Sequence, residues 1–508
     1  MICIPILARS NEEMLQMMQE AAPEADLLEL RIDGLAEPDL PRLFAARKRP
    51  VIVTDRPAEE GGLYAGTEAR RLQLLEEAAS LGADYIDIEL SAARRFLGKG
   101  AKRIVSFHDF RGMPADLSAI RRQLIEAGAD VTKIAIMAND VMDNIPIFNL
   151  LEAASREDQV PTIALCMGEA GLISRILSPK FGGFLTYAAP TVNGRLRPSG
   201  PGQISVRRLK EEFRYRKITR STAIYGVIGN PIGHSLSPAI HNAAYDEAGV
   251  DAVYVPFLVK DVRPFVPAFR AIGVKGFSVT IPHKEAALLA ADEVDAIARR
   301  VGAANTLYER GGKLRATNTD CEAAVGALEK ALASQAGAPQ GPLLLNKRVV
   351  VIGAGGAARA MVFGLVEHGA NVIIVNRTRE RGERLAREVN EIGPGSPGTG
   401  CRSEGIEALT TVEFDVLCNL TSIGMHPDVD ATPVPREVLK PQHVVFDAVY
   451  NPLETRLLRE AREMGCTTVP GLDWFIGQAA AQFELMTGRT APQEVMRRVA
   501  IARLQEKR

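Results

Sequence analysis

Residues 348–378 read RVVVIGAGGAARAMVFGLVEHGANVIIVNRT, the pattern of a strand, a glycine-rich turn, a helix and a second strand. The turn has the spacing G-x-G-x-x-A, in which Gly353 makes the bend, Gly355 lets the backbone approach a pyrophosphate and Ala358 packs the helix on the strand. Glycines alone would be a weak signal, but the flanking strands and the closing Gly369 make this a strong dinucleotide-binding fingerprint. We expect the cofactor phosphates to contact the backbone of Gly353, Ala354, Gly355, Gly356 and Ala357.

The end of the second strand indicates which dinucleotide binds. Enzymes that use NAD usually carry Asp or Glu at this position, where the carboxylate bonds the ribose 2′-hydroxyl. This chain instead has Asn376, Arg377 and Thr378, with Arg381 on the following turn. Because a carboxylate would repel a 2′-phosphate and arginines would hold it, the sequence predicts NADP(H) rather than NAD(H).

Residues 1–215 alternate short β-rich apolar runs with longer segments of helical periodicity. Two of the helical segments, 68–83 and 116–129, close on a glycine that predicts a C-cap. Eight repeats of strand and helix are typical of a (β/α)8 TIM barrel, although an open doubly wound sheet gives the same local pattern. The count of eight favours the barrel, whose chemistry lies at the carboxyl ends of its strands. The predicted strands are residues 2–7, 27–32, 51–55, 85–90, 103–109, 131–137, 162–167 and 184–189.

The second half of the chain has its own organisation. A charged amphipathic segment at 207–221 leads into a new strand at 223–229, which places a boundary near residue 220. The chain beyond this boundary is again α/β, and a breaker-rich stretch at 333–346 separates an early portion from a later one. This stretch is interpreted as a crossover or hinge; the alternative is one large domain with a surface loop. The remaining predicted strands lie near 253–258, 276–281, 348–353, 371–375, 415–419 and 444–447.

Composition excludes several classes of protein. The chain has 508 residues, with 61 Lys and Arg against 62 Asp and Glu, and 46% of it is hydrophobic. At roughly 100–200 residues per domain, this length predicts about three domains. A net charge near zero gives no global field that would gather nucleic acid or an anionic membrane, so both partners are disfavoured.

The cysteines and the apolar segments indicate the compartment. Six cysteines lie far apart, with no C-x-x-C pair and no histidine at zinc-finger spacing, so they form neither a disulfide framework nor a metal site. Every long apolar segment is interrupted before the ~18 residues of a membrane span. The N-terminal run MICIPILARSNEEM lacks the length and flanks of a signal peptide. We therefore expect a cytoplasmic protein with no bound metal.

A lysine interrupts one of the predicted barrel strands, Lys133 in VTKIAIM. Burial there would be costly for the ammonium unless it is paired or deprotonated, and desolvation favours the nucleophilic amine that forms Schiff bases. The alternative, an edge position whose ammonium reaches water, agrees equally well with the strand context alone. His108, at the end of the preceding strand, would supply a base that titrates near neutrality. The two residues together favour carbonyl chemistry.

Five strings carry a resemblance to a known family: ELRID (29–33), SFHDF (106–110), VTKIA (131–135), MGEAGLISRI (167–176) and PSGPGQIS (198–205). In this order they resemble type I 3-dehydroquinate dehydratases. The resemblance implies that Lys133 forms an imine with the substrate ketone and that His108 moves the proton. It also implies that Glu89 is the acidic partner of His108. The substrate carboxylate and hydroxyls would be held by Glu29, Arg31, Arg56, Arg175, Ser199 and Gln203.

Six further strings occur in the second half: GNPIGHSLSPAIHN (229–242), GFSVTIPHKEAA (276–287), GAANTL (302–307), ATNTDCEA (316–323), NLTSIGM (419–425) and GLDWFIGQAAAQFELMTG (471–488). Together they resemble shikimate dehydrogenases over residues 222–508. The resemblance implies that Lys284 protonates the ketone oxygen as hydride arrives, and that Asp320 fixes the ammonium. It places Thr421 and Met425 near the nicotinamide. The substrate would be bound by Ser235, Ser237, Thr280, Asn305 and Gln478.

The run HSLSP has a second interpretation as a helix start, with Ser237 as N-cap before Pro238. Both interpretations can hold, because a helix N-terminus also suits a carboxylate. His241 and His283 are expected to be structural. Trp474 departs from the aliphatic residue or methionine that the family carries more commonly at this position.

The product of the first implied reaction is the substrate of the second. The resemblances imply one chain that dehydrates 3-dehydroquinate and then reduces 3-dehydroshikimate to shikimate with NADPH, in aromatic amino-acid biosynthesis. Two alternatives stay open: an NAD-linked quinate/shikimate dehydrogenase half, which Arg377 disfavours, and a non-catalytic ligand-sensing regulator, which the intact catalytic residues disfavour. The oligomeric state is left open. The predicted domains are 1–218 for the dehydratase barrel, 222–335 completed by 470–508 for shikimate binding, and 336–469 for a Rossmann-type NADP-binding domain.

Overall fold

The computed structural model describes residues 1–157, 159–335, 341–392 and 400–506. Within these ranges the chain forms one sheet of eight strands, two sheets of six strands and a two-stranded hairpin. The α/β class predicted from the sequence is confirmed. Residues 336–340, inside the breaker-rich stretch that was interpreted as a crossover or hinge, lie outside the described residues.

The first sheet is a nearly closed parallel barrel. Its strands are β1 (Ile2–Leu7), β2 (Leu27–Arg31), β3 (Val51–Thr54), β4 (Tyr85–Glu89), β5 (Lys102–Asp109), β6 (Val131–Met137), β7 (Thr162–Met167) and β8 (Thr186–Tyr187). Their spatial order is β7-β6-β5-β4-β3-β2-β1-β8, so each strand pairs with its sequence neighbour and β8 returns to β1. The N–H of Phe184 donates to the carbonyl of Thr162 at 2.9 Å, which brings the start of β8 against β7. The barrel prediction is therefore confirmed, and the doubly wound alternative is wrong.

Six helices cover the barrel: α1 (Asn11–Ala21), α2 (Leu40–Ala45), α3 (Glu68–Ser80), α4 (Leu117–Glu126), α5 (Asn144–Glu157) and α6 (Leu172–Leu177). Thr67 and Asp116 cap α3 and α4 by accepting a backbone N–H three residues later. Gly82 and Gly128 follow these helices with φ of 93° and 88°, the left-handed conformation that ends a helix most readily at glycine. The hairpin β9 (Thr191–Val192) and β10 (Arg195–Leu196) follows β8.

The second sheet begins directly after the barrel. Its strands are β11 (Ala223–Gly229), β12 (Ala252–Leu258), β13 (Val274–Val279), β14 (Glu293–Val294), β15 (Thr306–Arg310) and β16 (Lys313–Thr317). The order is β12-β11-β13-β15-β16-β14, with β15 antiparallel to both of its neighbours. The helices between these strands are α7 (Ser237–Glu247), α8 (Val262–Ala271), α9 (Lys284–Leu289) and α10 (Ala296–Val301). Helix α11 (Thr319–Ala333) then leads to the third sheet.

The third sheet is entirely parallel. Its strands are β17 (Arg348–Ile352), β18 (Asn371–Val375), β19 (Cys401–Glu404), β20 (Val416–Asn419), β21 (Val444–Asp447) and β22 (Thr467–Pro470), with helices α12 (Gly356–Glu367), α13 (Arg379–Ile392) and α14 (Arg456–Glu463). The order β19-β18-β17-β20-β21-β22 is that of a Rossmann sheet. The strand order reverses between β17 and β20, and ligands bind such sheets at that point. The glycine-rich turn after β17 lies there.

The last two helices, α15 (Gly471–Thr487) and α16 (Gln493–Glu506), return to the second sheet. Phe483 and Met496 are buried in one core with Tyr225 of β11, and the Tyr225 hydroxyl donates to the carbonyl of Met486 at 2.8 Å. Helix α16 also reaches the segment that follows the barrel, where Arg503 lies 3.4 Å from Glu212. The domain boundaries drawn from the sequence stay predictions.

Two further observations concern the described ranges alone. None of the helices that they contain is both long and apolar enough to cross a membrane. All six cysteines are buried with free thiols.

Candidate active sites

The first candidate site is a pocket at the carboxyl ends of the barrel strands, here called the barrel pocket. It encloses about 620 Å³. Eight of the nine residues predicted for the dehydratase chemistry line it, and Glu89 does not: the lining includes Glu29, Arg31, Arg56, His108, Lys133, Arg175, Ser199 and Gln203. The sequence reasoning missed other residues of the same wall, among them Glu60, Phe110, Met167 and Tyr187.

Lys133 lies inside this pocket and does not reach bulk water. Its side chain is 7% exposed, its Nζ donates to Asp87 Oδ2 at 2.7 Å, and Glu29 Oε1 lies 3.5 Å away. The ring of Tyr187 covers the ammonium, with its centre 4.7 Å from Nζ. The edge-position alternative for Lys133 is therefore wrong. Burial raises the pKa of Asp87, but the charges of Arg56 and Lys133 outweigh it and hold that pKa well below its usual range.

The carboxylate beside His108 is Glu60, not Glu89. His108 Nδ1 lies 2.9 Å from Glu60 Oε2. Glu89 instead accepts hydrogen bonds from Arg56 at 2.7 Å and from Arg71 at 2.8 Å. Arg71 belongs to α3 outside the sheet, so its bond directs one oxygen of Glu89 away from the pocket. The expectation that Glu89 is the acidic partner of His108 is thus corrected by the contacts.

Burial acts in opposite directions on the two members of the His108–Glu60 pair. It lowers the pKa of His108 well below the ordinary histidine value, and the charges of Arg56 and Lys133 lower it further. Burial also raises the pKa of Glu60 to about 7. A neutral imidazole can accept a proton, and Nδ1 is already engaged by Glu60, so Nε2 is the nitrogen left for a ligand.

The three arginines of the barrel pocket differ in what they already bind. Arg31 donates two hydrogen bonds of 2.8 Å to Asp33, and Arg56 is held by Asp87 and Glu89. Arg175 is buried; its Nη2 donates to a backbone carbonyl at 3.1 Å, and its Nε has no partner in the part of the chain that the structure describes. Burial lowers the pKa of Arg175 to about 10. Of the three, Arg175 has the most donor capacity left for a carboxylate ligand.

The remaining wall of the barrel pocket is the loop at 198–205. Within it the Ser199 N–H donates to Gln203 Oε1 at 2.9 Å. The loop is fastened to the turn after β7, where the Gly168 N–H donates to the carbonyl of Pro201. Gly202 has φ of 74°, and a Cβ there would stand 2.2 Å from the carbonyl oxygen of Gly168. This close approach requires glycine and brings Ser199 and Gln203 over the strand ends.

The second candidate site is a cleft between the second and third sheets that encloses about 1,400 Å³. Residues of the second sheet, of the loops that follow β20 and β21, and of α15 line it. The predicted residues that it brings together are Ser235, Ser237, Thr280, Lys284, Asn305, Asp320, Met425 and Gln478. Residues that the sequence reasoning missed or set aside also line it, among them Ser278, Tyr450, Trp474 and Gln482.

Lys284 and Asp320 form an ion pair in this cleft. Nζ of Lys284 donates to Asp320 Oδ2 at 2.5 Å. Lys284 is the first residue of α9, and Asp320 is the second residue of α11, whose N-cap Asn318 accepts the Asp320 N–H at 3.1 Å. The indole of Trp474 donates to the Asp320 carbonyl at 2.9 Å. Both charged residues stand at helix starts, so the ion pair is fixed at its backbone.

The segment predicted to bind the substrate carboxylate leads into α7. Ser237 is the first residue of this helix and does not cap it; its N–H donates to Ser235 Oγ at 3.2 Å, and Leu236 occupies the N-cap position. The prediction of Ser237 as N-cap is therefore wrong, because the hydroxyl that meets the first backbone N–H comes from two residues earlier. The Ser237 hydroxyl is left for a ligand.

Amides form the floor of the cleft. Asn305 accepts the Thr319 N–H at 2.9 Å and donates to the Thr319 hydroxyl, also at 2.9 Å. Gln482 accepts from Ser278 at 2.6 Å and donates to the Asn305 carbonyl at 3.2 Å. Gln478 and Gln482 are four residues apart on α15, so the sequence GQAAAQ could have indicated that they share a helix face.

The two histidines expected to be structural make contacts that fit this role. His241 is fully buried and stacks on Tyr254 with ring centres 4.3 Å apart. Burial lowers the pKa of His241 to about 3. His283 lies 2.8 Å from the backbone carbonyl of Val259 through Nε2.

The turn after β17 fits a dinucleotide. Gly353 has φ of 112°, and a Cβ there would stand 3.2 Å from the carbonyl oxygen of Leu420. In front of Gly355 and Gly356 the space is open, with no described atom within 4 Å of an added Cβ. Helix α12 starts at Gly356, so its free N–H groups face this space.

The predicted 2′-phosphate residues follow β18. Asn376 Nδ2 donates to the Thr378 carbonyl at 2.7 Å and shapes the turn. Arg377 and Arg381 are exposed and make no ion pair among the described residues, whereas the intervening Arg379 is paired with Glu383. Two unpaired guanidinium groups at this turn suit a phosphate and would have no partner on an unmodified ribose.

Four families match successive parts of the chain. Type I 3-dehydroquinase matches residues 2–220, and the shikimate dehydrogenase substrate binding domain matches 227–307. Shikimate / quinate 5-dehydrogenase matches 337–393, and the shikimate 5′-dehydrogenase C-terminal domain matches 471–501. The fold and the two sites thus define a barrel dehydratase joined to a shikimate dehydrogenase.

Individual relatives agree with this class. The chain is 41% identical to the chloroplastic bifunctional 3-dehydroquinate dehydratase/shikimate dehydrogenase of Arabidopsis thaliana, over 97% of this chain and 83% of the relative. It therefore belongs to the family of bifunctional 3-dehydroquinate dehydratase/shikimate dehydrogenases. The NADP⁺ shikimate dehydrogenase of Moorella thermoacetica is 41% identical over 56% of this chain and 94% of its own. A solved shikimate dehydrogenase in complex with NADP⁺ matches 56% of this chain and 97% of its own, with a TM-score of 0.52 and 38% identity.

Proposed function

We propose that this chain dehydrates 3-dehydroquinate to 3-dehydroshikimate in the barrel pocket and reduces 3-dehydroshikimate to shikimate with NADPH in the cleft. The observation that carries the proposal is that one chain holds two complete reacting pairs. The first is the buried Lys133 with His108, which line the same pocket, and the second is the Lys284–Asp320 ion pair. The product of the first reaction is the substrate of the second.

In the dehydratase reaction, the Lys133 amine adds to the ketone carbon of the substrate, and water leaves to give a protonated imine. The positive imine draws electrons from the neighbouring C–H bond. Nε2 of His108 removes that proton and then returns a proton to the departing hydroxyl, which leaves as a second water. Hydrolysis of the imine consumes one water and releases the product and the lysine, so the net change is loss of one water.

The surrounding residues of the barrel pocket support these steps. Glu60 orients His108 through Nδ1 and stabilises the imidazolium that forms when Nε2 takes the proton. Asp87, 2.7 Å from Lys133 Nζ, opposes the positive charge of the imine. Arg175 binds the substrate carboxylate with its free donors. Glu29, Arg31, Arg56, Ser199 and Gln203 surround the substrate hydroxyls, and Glu89 fixes Arg56 from behind.

In the reductase reaction, NADPH supplies the hydride when it is bound. Lys284 gives a proton to the ketone oxygen as negative charge develops there, and Asp320 keeps the ammonium in place. Ser235 and Ser237 donate to the substrate carboxylate at the start of α7, where the helix dipole also favours an anion. The ring hydroxyls are bonded by Thr280, Asn305 and Gln478.

The cofactor would lie across the third sheet, with its pyrophosphate on the turn at 353–357 and its 2′-phosphate between Arg377 and Arg381. Thr421 and Met425 stand on the loop after β20 and would contact the nicotinamide. We propose 1–218, 222–335 with 470–508, and 336–469 as the three domains. Free, buried thiols at all six cysteines support a reducing compartment, and we propose the cytoplasm.

Two assays on one purified sample test the proposal. The chain should consume 3-dehydroquinate without cofactor and should oxidise NADPH when 3-dehydroshikimate is added. Borohydride with 3-dehydroquinate should irreversibly stop the first activity and leave the second, and the added mass should map to the peptide that contains Lys133. Lys133→Met should be inactive as a dehydratase and unlabelled, while Lys180→Met, outside the pocket, should behave as the parent. Full dehydratase activity of Lys133→Met would refute the imine mechanism.

A further inference from the structure

Asp447 is a buried carboxylate that the mechanism above does not use. It ends β21, where it lies opposite Asn419, the last residue of β20. Its side chain is fully buried and does not line the cleft. Oδ1 accepts from Asn419 Nδ2 at 2.9 Å and from the Val449 N–H at 3.0 Å, and Oδ2 accepts from the Thr455 hydroxyl at 2.6 Å.

On one side, these bonds continue into the loop that carries Met425. Asn419 Oδ1 accepts both the Thr421 N–H at 3.1 Å and the Thr421 hydroxyl at 2.7 Å. The Thr421 hydroxyl oxygen in turn accepts the Ile423 N–H at 3.2 Å. Asp447 thus orients the Asn419 amide, and the amide fixes the first residues of the 420–425 loop.

On the other side, the bonds fix the loop that carries Tyr450. The Val449 N–H and the Thr455 hydroxyl belong to the segment 448–455. Tyr450 lines the cleft and stacks on Phe475 with ring centres 4.9 Å apart. The two loops meet again where the His426 N–H donates to the Asn451 carbonyl at 3.0 Å.

A buried carboxylate without a cation partner is an unfavourable way to link two loops, because burial destabilises its charge. Among the described residues no cation forms an ion pair with Asp447, and all of its partners are neutral donors. A carboxylate accepts on both oxygens, whereas an amide would keep one acceptor and would either oppose N–H to N–H or force the Thr455 hydroxyl to accept instead of donate. Burial raises the pKa of Asp447 to about 6, while the bonds from Thr455, Val449 and Asn419 lower it.

We infer that Asp447 is a positioning residue for the proposed reductase reaction: its carboxylate joins the 420–425 loop to the Tyr450 loop and so sets the distance between nicotinamide and substrate. If the two loops were not joined, the nicotinamide and the substrate would not be held at a fixed distance for hydride transfer. Misplacement of reacting groups by about 1 Å can lower the rate on the order of 100-fold. The inference rests on the proposed function of the cleft.

The test compares Asp447→Asn with Asp428→Asn, an exposed carboxylate on the segment that follows β20. Asp447→Asn should lower the reductase kcat by about 10- to 100-fold, with a smaller change in KM for 3-dehydroshikimate, and should leave the dehydratase rate of the same sample unchanged. Asp428→Asn should match the parent. A parent chain that does not reduce 3-dehydroshikimate would refute the proposed function itself, before any variant is measured.

The pH profile separates positioning from simple loss of structure. In the parent, reductase kcat should fall as the pH drops through about 6, because a protonated Asp447 must direct an O–H toward one of its donors. Asp447→Asn should have no such decline. If Asp447→Asn does not fold, Thr455→Val should still give a several-fold drop in reductase kcat. Parental kcat in either folded variant, or a parental pH profile in Asp447→Asn, would overturn the inference.

Discussion

The barrel pocket and the cleft differ in how far their lysines are buried and in how many charged groups surround them. In the barrel pocket Lys133, the lysine proposed to form the imine, is 7% exposed and lies among Asp87, Glu29 and Arg56, all buried. In the cleft Lys284, the proposed proton donor, is 22% exposed and pairs with Asp320, with neutral amides and hydroxyls in the same lining. The proposed imine chemistry needs an amine held away from water, and the buried position of Lys133 in the barrel meets this need. Hydride transfer needs room for a large cofactor, so the cleft opens between two sheets.

The largest effect that tests this difference is expected in the cleft. Lys284→Met should lower the reductase kcat by about 10²- to 10⁴-fold, because it removes the proton donor for the ketone oxygen. The dehydratase activity of the same sample should stay at the parental value, since the barrel pocket has its own lysine. The matched control is Lys313→Met, which changes an exposed lysine on β16. A fall of both activities in Lys284→Met would mean that the two sites are not independent.

In the barrel pocket the next largest effect should follow loss of the His108 partner. Glu60→Gln should lower the dehydratase kcat by about 10- to 100-fold, because the amide cannot stabilise the imidazolium. The parental rate should rise as the pH increases through about 7, where Glu60 ionises, and the variant should lose this rise. The exposed neighbour Glu59 provides the control Glu59→Gln. An unchanged pH profile in Glu60→Gln would show that Glu60 has no part in proton transfer.

The case of Glu60 shows where sequence reasoning stops. The eight strands were readable from their apolar runs, and the rule that chemistry lies at strand ends located Lys133 and His108. Glu89 also ends a strand, so its position in the sequence makes it as good a candidate for the partner of His108 as any other acidic residue at a strand end. In the structure both oxygens of Glu89 accept hydrogen bonds from arginines, one from Arg56 and the other from Arg71 of the helical layer. The true neighbour of His108 stands on the loop after β3, whose course depends on tertiary contacts that no local pattern encodes.

The cleft was easier to predict because its residues belong to short continuous strings. Ser235 and Ser237, Lys284, and Asp320 each stand in a motif at a helix start, so their backbone positions are fixed locally. What the sequence did not indicate is how the strings are joined. Asp447 contacts Asn419 and Thr455, and these residues are brought together only by the pairing of β20 with β21.

The cofactor turn should give an effect of intermediate size. Arg377→Ala and Arg381→Ala should each lower kcat/KM for NADPH by about 10- to 100-fold, since a charge-assisted bond to phosphate contributes roughly 1.5–3 kcal/mol. The value for NADH should change little, because an unmodified ribose gives these arginines no anionic partner. Arg379→Ala, whose guanidinium is already paired with Glu383, should leave the preference for NADPH intact. Equal losses with both cofactors would refute recognition of the 2′-phosphate at this turn.

The smallest predicted effect concerns Asp55, a buried carboxyl that differs from Asp447 in its hydrogen-bond donors. Among the described residues, Asp447 has three donors, whereas neither oxygen of Asp55, beside Arg56 at the barrel end, has one. Burial raises the pKa of Asp55 to about 7, far above its ordinary value. A carboxyl whose pKa is raised by folding holds its proton more tightly in the native state. The stability that it contributes is therefore present below about pH 4 and is lost as the pH rises to about 7.

Asp55→Asn should remove this penalty at high pH. The midpoint for thermal loss of dehydratase activity should rise by about 2–6 °C at pH 8 relative to the parent. The rise should be less than half as large at pH 5, where Asp55 is still neutral in the native state but already ionised in the unfolded chain. The midpoint for loss of reductase activity in the same sample should stay the same at both pH values. A gain of equal size at pH 5 and pH 8 would mean that shape, not charge, is what the substitution changes. Ionisation of Asp55 would then make no contribution to the pH dependence of the thermal stability of the barrel.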